Sequence, residues 1–396
     1  MHPSDSDLAA SSAPPAPATH YDTSRHDEWA GAVEGVVRAA VSQLNLGSDE
    51  CPAVELIDAA VLDAQIASLK AAFPDNWLHA YAIKANPLKG VLARVRAAGL
   101  GAECASREEL LHARRCGFPA RALVKFGEAL EPARIDDLVG LYRRHAWLTC
   151  VHCHVGSQGC STAMLVTGVR AAVDFARRVN AAVARRQVVV IDIGGGLCTN
   201  YRSNEPAMAG MSFADYAASL RATVPELFTG EFEVITEFGR SIVAKAGVTL
   251  SCVAGLKSCG GVPTAVLHTG ANQFVRQAYR PAEWFQRLSV FGRDGAVRRC
   301  IAARPMVPHN VAGPLCFSGD LLARALPLPQ VAAGDIICIH DTGAYCTSMY
   351  SMYNSRTPLP VYLVARSAPP QPGARSDYCF TPIKVQSTAQ TLAFWE

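Results

Sequence analysis

The sequence has no apolar run that approaches the roughly 18 residues of a membrane-spanning helix. It also has little net charge, since 37 basic and 34 acidic residues leave a formal charge of only +3. A balance of this kind argues against nucleic acid or a membrane surface as a partner. Because half of the 396 residues are hydrophobic, the chain can bury a sizeable core, and its length predicts two domains.

An export signal is not indicated at the N-terminus. Residues 1–28 are rich in Ser, Ala, Pro and Asp, lack the apolar core of a signal peptide and contain no arginine before Arg25. We expect a disordered tail there, and the same composition disfavours an organellar transit peptide. The 14 cysteines are scattered without a regular framework, which is typical of reduced thiols in a cytoplasmic protein.

The sequence does contain an alternation of strand and helix patterns. Helical periodicity covers residues 29–46, and a short strand is predicted near Cys51–Ile57. Further strands, alternating with helices, are predicted at 80–84, 101–105, 121–126, 148–155, 187–193 and 232–237. This alternation predicts an α/β fold built on a parallel sheet.

The pattern changes near residue 247, where short β-rich runs separated by Gly and Pro begin. We therefore predict four regions: a tail (1–28), an N-terminal segment that packs on the β domain (29–52), a β/α barrel (53–247) and a C-terminal all-β domain (248–396). A closed barrel of this type needs eight strands. Either two strands escape the pattern analysis or the barrel is short of them.

One stretch, Ala80-Tyr-Ala-Ile-Lys-Ala-Asn-Pro87, places Lys84 at the end of a predicted strand just before a helix. In a β/α barrel that edge carries the chemistry. A lysine among apolar residues there should have a lowered amine pKa and could form a Schiff base. The plain alternative is a surface lysine whose stem packs while its amine stays in water.

Three more motifs end predicted strands of the barrel: Cys150-Val-His-Cys-His-Val-Gly-Ser-Gln158, Val188-Val-Val-Ile-Asp-Ile-Gly-Gly-Gly196 and Ile235-Thr-Glu-Phe-Gly-Arg240. Bare backbone amides in the triple glycine can wrap a phosphate, although a glycine turn can also be only a tight corner. A surface ion pair is the plain interpretation of Glu237 and Arg240. The cysteines and histidines of the first motif lack a second ligand pair at zinc spacing, so we predict no metal site.

Two further motifs lie in the β-rich region, Gly313-Pro-Leu-Cys-Phe-Ser-Gly-Asp320 and Asp341-Thr-Gly-Ala-Tyr345. In this order the six motifs resemble those of the fold-type III pyridoxal phosphate-dependent decarboxylases, the family of the ornithine, arginine and diaminopimelate decarboxylases. The forms found here look most like the diaminopimelate branch. The resemblance runs from about residue 53 to 365.

The resemblance implies an alanine-racemase-like barrel that holds pyridoxal 5'-phosphate (PLP), a β domain beside it, and a homodimer with shared active sites. It implies that Lys84 forms a Schiff base with PLP, that His154 stacks on the cofactor ring and that Glu237 pairs with the ring nitrogen. Residues implied to surround the phosphate or the substrate carboxylate are Ser157, Gly194, Gly195, Gly196, Arg240 and Tyr345. Cys316 would reach into the neighbouring subunit's site and protonate the carbanion.

Two positions that the resemblance assigns to the substrate depart from the family pattern. Phe317 stands where diaminopimelate decarboxylases have a glutamate that holds the distal ammonium of the substrate, and an unpaired buried ammonium costs several kcal/mol. The segment Phe274-Val-Arg276-Gln-Ala-Tyr-Arg280 keeps the carboxylate-binding Arg276 but has Arg280 in place of a tyrosine. We therefore expect a substrate whose distal end differs from that of meso-diaminopimelate.

Part of the barrel is missing relative to the family. Lys84 and His154 are 70 residues apart, about half the family's separation, and Val124-Lys-Phe-Gly127 resembles a piece that follows the fifth strand. About two βα units, or roughly sixty residues, are lacking. A skipped exon, a gene-model error and a genuinely shortened protein all fit this gap.

The expected activity is therefore PLP-dependent decarboxylation of a diamino or basic amino acid, nominally meso-diaminopimelate to L-lysine. One alternative is decarboxylation of another D-configured or diamino acid, in line with Phe317. The other is a non-catalytic relative that dimerises with or regulates an intact enzyme.

Overall fold

The computed structural model describes residues 20–118, 130–366 and 377–396. In the first part of the chain the elements are α1 (His26–Leu44), β1 (Ala53–Asp58), α2 (Ala59–Ala72), β2 (Leu78–Ala82), α3 (Lys89–Ala97), β3 (Gly101–Glu103), α4 (Arg107–Arg115), α5 (Ile135–Arg144), β4 (Cys150–His152), α6 (Thr162–Val183), β5 (Val190–Asp192), α7 (Phe213–Thr223), β6 (Glu233–Thr236) and α8 (Arg240–Val243). In the second part they are β7 (Gly247–Cys259), β8 (Val262–Leu267), α9 (Val275–Tyr279), β9 (Leu288–Phe291), β10 (Met306–Ala312), β11 (Leu321–Pro329), β12 (Ile336–His340), β13 (Val361–Arg366), β14 (Tyr378–Lys384) and α10 (Thr388–Leu392).

Short polar side chains begin several of the helices. Asp58 accepts hydrogen bonds from two backbone amides at the start of α2, and Ser106 caps α4 in the same way. Ser212 and Asp215 form a reciprocal capping box at the start of α7. Such caps satisfy the first N–H groups of a helix, which have no partner within it. The caps therefore fix where the chain turns from strand or loop into helix.

Five parallel strands form the centre of the first unit, in the spatial order β3-β2-β6-β5-β4. The strands are short, and Tyr81 of β2 and Ile191 of β5 are fully buried. The covering helices contribute apolar side chains such as Leu62, Val173 and Leu220 to the same core. The predicted α/β architecture with a parallel sheet is thus confirmed.

The parallel sheet has a break between β3 and β4. Among the described residues, β3 pairs with β2 alone and β4 pairs with β5 alone. The strand predicted at 121–126 and the segment 124–127 lie outside these residues. A closed eight-stranded barrel would join β3 to β4 through intervening strands. The fold is therefore an alanine-racemase-like barrel with fewer described strands than a closed one.

The second unit is a nine-stranded mixed sheet with the main path β11-β10-β8-β7-β1-β13-β14, in which β12 pairs with both β7 and β9. We placed β1 at the start of the barrel, but it pairs antiparallel with β7 and parallel with β13. Its burial on both faces suits a central strand of this sheet. The parallel sheet accordingly begins at β2.

Residues 20–28, which we expected to belong to a disordered tail, are ordered. The buried Tyr21 accepts a hydrogen bond at its hydroxyl from the backbone N of Leu288, 3.1 Å away. His26 Nε2 accepts one from the backbone N of Val290 at 3.0 Å. Both contacts tie this segment to β9, and α1 continues along the mixed sheet through Ala30 and other buried side chains. No described helix is long and apolar enough to cross a membrane.

Candidate active site

Lys84 and Glu237 follow neighbouring strands at the same edge of the parallel sheet. Strand β2 leads into a 3-10 turn, Ile83–Ala85, that carries Lys84, and Glu237 comes directly after β6. The two strands pair in parallel, and the pairing continues past β6 because the backbone N of Ala82 donates to the carbonyl of Phe238 at 3.2 Å. The chemistry-bearing edge expected from the sequence is therefore present.

Lys84 is partly enclosed and contacts a carboxylate. Its side chain is 28% exposed, and its Nζ forms an ion pair with Oε2 of Glu103, a fully buried residue at the end of β3. The surroundings of this amine therefore include a carboxylate as well as the apolar groups that the sequence indicated. Glu103 was not among the predicted site residues, although a glutamate at the end of a predicted strand was a usable signal.

A second cluster lies at the ends of β4, β5 and β6. His152 Nδ1 is 3.1 Å from Oδ2 of Asp192 and 3.9 Å from Oε1 of Glu237. Both carboxylates are buried. His152 and Asp192 were not among the predicted site residues. Both lie in motifs from which other site residues were predicted, and each follows an apolar strand residue there. His152 lies at this edge because it is the last residue of β4.

The same three side chains could also surround a metal ion, since one ligand atom from each lies within 4.8 Å of the others. This trio differs from the cysteine and histidine set considered from the sequence. Burial raises the pKa of the Cys150 thiol to about 12 and also raises that of Cys153.

The triple glycine forms a tight turn that only glycine can adopt. Gly194 and Gly196 have φ values of +65° and +98°. A Cβ on Gly195 would lie 2.3 Å from the carbonyl oxygen of Glu237, and one on Gly196 would lie 2.2 Å from that of Gly156. The turn therefore presses its bare backbone against the ends of β4 and β6.

His154 and Ser157 lie beside this turn. The backbone N of Gly195 donates to Nδ1 of His154 at 3.3 Å. The loop that carries Ser157 is held by Gln158, whose side-chain amide donates to the carbonyl of Thr199 at 2.7 Å. The structure thus brings the His154–Gln158 loop onto the glycine turn, as the motif order suggested.

A buried arginine, Arg240, and a half-buried one, Arg276, meet two aromatic rings next to this edge. The guanidinium carbon of Arg240 lies 4.5 Å from the centre of the Tyr345 ring, and that of Arg276 lies 4.7 Å from it. Both also lie over Trp284, at 4.9 and 4.5 Å. Burial, and then the charge of Arg240, lowers the pKa of Arg276. A carboxylate or phosphate would relieve this crowding of like charges.

The β domain reaches the Lys84 turn through the Asp341–Tyr345 motif. The backbone N of Tyr345 donates to the carbonyl of Ala85 at 2.9 Å. The side-chain amide of Asn86 donates to the carbonyl of Gly343, also at 2.9 Å. These two bonds bring the Tyr345 ring and the arginine pair to the strand edge that carries Lys84.

Three predicted residues lie apart from this cluster. Arg280 is exposed and forms an ion pair with Glu283, which follows it at i+3. Phe317 stacks on Tyr279, with ring centres 5.6 Å apart. Cys316 is exposed, and its backbone bonds to Asn354 and Tyr353.

The family model for the "Pyridoxal-dependent decarboxylase, pyridoxal binding domain" matches residues 59–139 and 123–244. The chain belongs to the fold-type III pyridoxal-dependent decarboxylase family. Its two matching segments overlap at 123–139, so the decarboxylase domain is interrupted close to the break between β3 and β4.

Curated relatives and a solved structure agree with this family. The chain is 32% identical over 243 residues to the diaminopimelate decarboxylase of Escherichia coli K12, covering 59% of this chain and 54% of that one. It is 28% identical over 347 residues to the Deinococcus radiodurans diaminopimelate decarboxylase, covering 76% and 87%. The chain spans about half the length of the first curated relatives that it matches.

The crystal structure of Helicobacter pylori diaminopimelate decarboxylase complexed with L-lysine has the same fold. The TM-score is 0.70 at 21% identity, over 87% of this chain and 96% of that chain. The fold therefore extends over the barrel and the β domain together.

The residues at the strand-end edge that carries Lys84 and Glu237 suit PLP chemically. An amine, a buried carboxylate and an imidazole come from Lys84, Glu237 and His154 at the ends of adjacent or nearby strands. The glycine turn admits no side chain at its central position. PLP supplies an aldehyde for the amine, a ring nitrogen for the carboxylate and an electron sink for carbanion chemistry.

Proposed function

We propose that this family member is a PLP-dependent decarboxylase of a diamino or basic amino acid, with meso-diaminopimelate as its nominal substrate and L-lysine as its product. The observation that carries the proposal is the placement of Lys84 and Glu237 after paired strands, beside the glycine turn and His154. In this proposal Lys84 attaches the cofactor and Glu237 keeps its ring nitrogen protonated. His154 covers the ring face.

The arginine pair is proposed to hold anions. Arg240 and Arg276 are buried or half-buried cations gathered around Tyr345. Arg240 also donates to the hydroxyl of Tyr201 at 3.0 Å, which fixes its guanidinium. The phosphate of PLP and the carboxylate of the substrate are the two anions that such a site would receive, together with Ser157 and the amides of Gly194–Gly196.

We propose that the substrate's distal end is recognised less well than in relatives that have a glutamate in place of Phe317. Phe317 offers an aromatic face stacked on Tyr279 and no hydrogen-bond acceptor. The excess positive charge that we expected from Arg280 is reduced, because Glu283 pairs with it. Another D-configured or diamino acid is therefore an alternative substrate.

Cys316 is proposed to act in the site of a second subunit. It is exposed and bonded to Asn354 and Tyr353 on the outer part of the β domain. An exposed thiol next to the substrate-facing Phe317 suits a role across a homodimer interface, where it would protonate the carbanion. A cytoplasmic location also stays a prediction.

The break between β3 and β4 favours a second candidate function. A barrel that lacks strands exposes sheet edges and loses part of the wall around its site. A homologue of this kind could dimerise with an intact decarboxylase and regulate it without catalysis. The retained Lys84, Glu237 and Cys316 favour the enzyme.

The deciding experiment is to add PLP to the purified chain and to measure both cofactor attachment and carbon dioxide release from meso-diaminopimelate. Absorbance near about 420 nm that borohydride converts into a stable Lys84 adduct is expected for the enzyme. A chain that stays colourless and releases no carbon dioxide, yet changes the activity of an intact decarboxylase on mixing, would support the second candidate.

A further inference from the structure

The ion pair between Lys84 and Glu103 joins the proposed cofactor lysine to a carboxylate that the proposed function leaves without a task. Glu103 ends β3, the strand adjacent to β2, and its side chain is fully buried. Its Oε2 contacts Nζ of Lys84, while Oε1 accepts no hydrogen bond from any described residue. A buried carboxylate with one oxygen in contact with an amine is well placed to exchange a proton with it.

We propose that Glu103 controls the proton of Lys84 and so governs how the amine attaches an aldehyde. This inference rests on the proposed role of Lys84. The ammonium has no lone pair and cannot attack a carbonyl carbon. Transfer of its proton to Glu103 leaves a neutral amine and a neutral carboxylic acid. Because both charges disappear together, burial penalises this transfer less than it penalises release of a lone proton.

The proton is then returned. As the nitrogen of Lys84 bonds to the aldehyde carbon, the carbonyl oxygen takes one proton from the amine and a second from the Glu103 acid, and it leaves as water. The linkage that remains carries one proton on nitrogen, and Glu103 is again a carboxylate beside it. Atoms and charge balance without any further reactant. Glu103 would therefore serve first as a base and then as an acid.

A second carboxylate near β3, that of Glu109, makes a different contact. Glu109 lies on α4, and its Oε2 accepts a hydrogen bond from the backbone N of Ala105 at 2.7 Å. Glu109 lies near β3, but its carboxylate binds the backbone just before α4. Glu109→Gln is therefore a matched control for Glu103→Gln, because each change replaces one carboxylate by an amide of the same shape.

The first test uses the protein without cofactor. Trace acetylation with acetic anhydride across a pH series, read by mass spectrometry of the Lys84 peptide, gives the pH at which the reactivity of this amine is half of its maximum. In Glu103→Gln that pH should fall by about 1 unit or more, since the carboxylate that stabilises the ammonium is gone. Glu109→Gln should leave it unchanged. An unchanged midpoint in Glu103→Gln overturns the proposal.

The second test follows the absorbance that appears when PLP is added. The original protein should take up PLP at a nearly constant rate through neutral pH and more slowly at alkaline pH, where the pair loses its shared proton. Glu103→Gln should show the opposite trend, with a rate that rises with pH as the amine loses its proton. Glu103→Asp should keep the original trend at a lower rate, which separates proton exchange from a purely structural role.

The outcomes distinguish the two proposals. If the original protein does not attach PLP but the acetylation midpoint still shifts in Glu103→Gln, the proposed function fails and control of the Lys84 proton stands. If PLP attaches and both variants follow the original pH trend, the proposed function stands and the role of Glu103 is refuted. Thermal unfolding of each variant shows whether it is folded. If Glu103→Gln does not fold, the Glu103→Asp variant still tests the proposal.

Discussion

Lys84 is the residue through which the proposed function attaches its cofactor. Lys84→Ala should abolish the absorbance near about 420 nm and the borohydride-stable adduct, because no other amine lies in the turn that follows β2. Peptide mapping of the reduced protein is the measurement. Lys89→Ala, which removes a lysine at the start of α3, is the control and should retain both signals. An adduct on a lysine other than Lys84 would refute the assignment.

In the proposed function, Phe317 lies where the distal end of the substrate would bind. Phe317→Glu should raise kcat/KM for meso-diaminopimelate by about ten- to a hundredfold, which corresponds to a charge-assisted hydrogen bond of about 1.5–3 kcal/mol. Phe317→Leu removes the ring without adding an acceptor and should give no such gain. The two proteins are also compared in a form whose barrel has the missing βα units restored. If Phe317→Glu is no faster there than the protein with Phe317, the distal ammonium is not recognised at this position.

The residues predicted from the sequence differ in how well the structure supports their grouping. Glycines, His154 and Glu237 could be placed together because each follows an apolar strand, and strand ends share an edge. Glu103 and Asp192 were missed although both lie in strands that the sequence predicted, because a sequence does not show which side chains of neighbouring strands meet. Arg280 was placed near the substrate without its partner Glu283, since a sequence does not show how an exposed side chain is neutralised.

Among the elements, β1 carries a buried carboxylate whose ionisation opposes folding. Burial raises the pKa of Glu55 to about 7, above its ordinary 4.5, despite hydrogen bonds from Thr347 and Gln273 and the charge of Lys384. The folded protein therefore holds a proton that the unfolded chain releases at lower pH. The stability is fully present below about pH 4.5 and is lost as the pH rises to about 7.

The expected loss is about 2 kcal/mol between about pH 5 and about pH 8, since one pKa unit corresponds to about 1.4 kcal/mol. Glu55→Gln should remove this dependence and should stabilise the protein more at the higher pH than at the lower one. Urea unfolding at both pH values measures the difference. The exposed Glu50→Gln is the control. A variant whose pH dependence equals that of the original protein would show that Glu55 is already ionised when folded.

The element pattern predicted most helices and parallel strands, but it could not predict which sheet a strand would join. The apolar run of β1 reads like the first strand of a barrel, whereas its partners β7 and β13 lie about 190 and 300 residues further along the chain. Pairing over such separations depends on the packing of the whole domain. The ordered segment around Tyr21 was missed for the same reason, since its partner Leu288 is equally remote.

For the whole molecule, the proposed homodimer makes a prediction about mixtures. Lys84→Ala and Cys316→Ala should each be inactive alone. After subunit exchange, random pairing makes half of the dimers mixed, and each mixed dimer has one intact site. The mixture should therefore recover about a quarter of full activity. Mass spectrometry of the intact dimers verifies exchange. Mixed dimers without recovered activity would argue against shared sites.

Because the sheet is broken between β3 and β4, each variant should be compared in two forms of the protein. Each variant is best made both in this chain and in a form that regains the missing βα units from a relative, inserted after Phe118. If only the restored form attaches PLP, the shortened barrel itself prevents function. If both forms attach it, the edge formed by β2, β5 and β6 is sufficient for the cofactor.

The two bonds that join Ala85 and Asn86 to Tyr345 and Gly343 also bear on synthesis of the chain. A ribosome that has produced every strand of the parallel sheet has not yet produced the residues that close the Lys84 turn, which come about 100 residues later. Nascent chains therefore expose that turn during translation, and a truncation before residue 343 leaves it exposed. In the proposed function we therefore expect PLP to load late, after the β domain has docked.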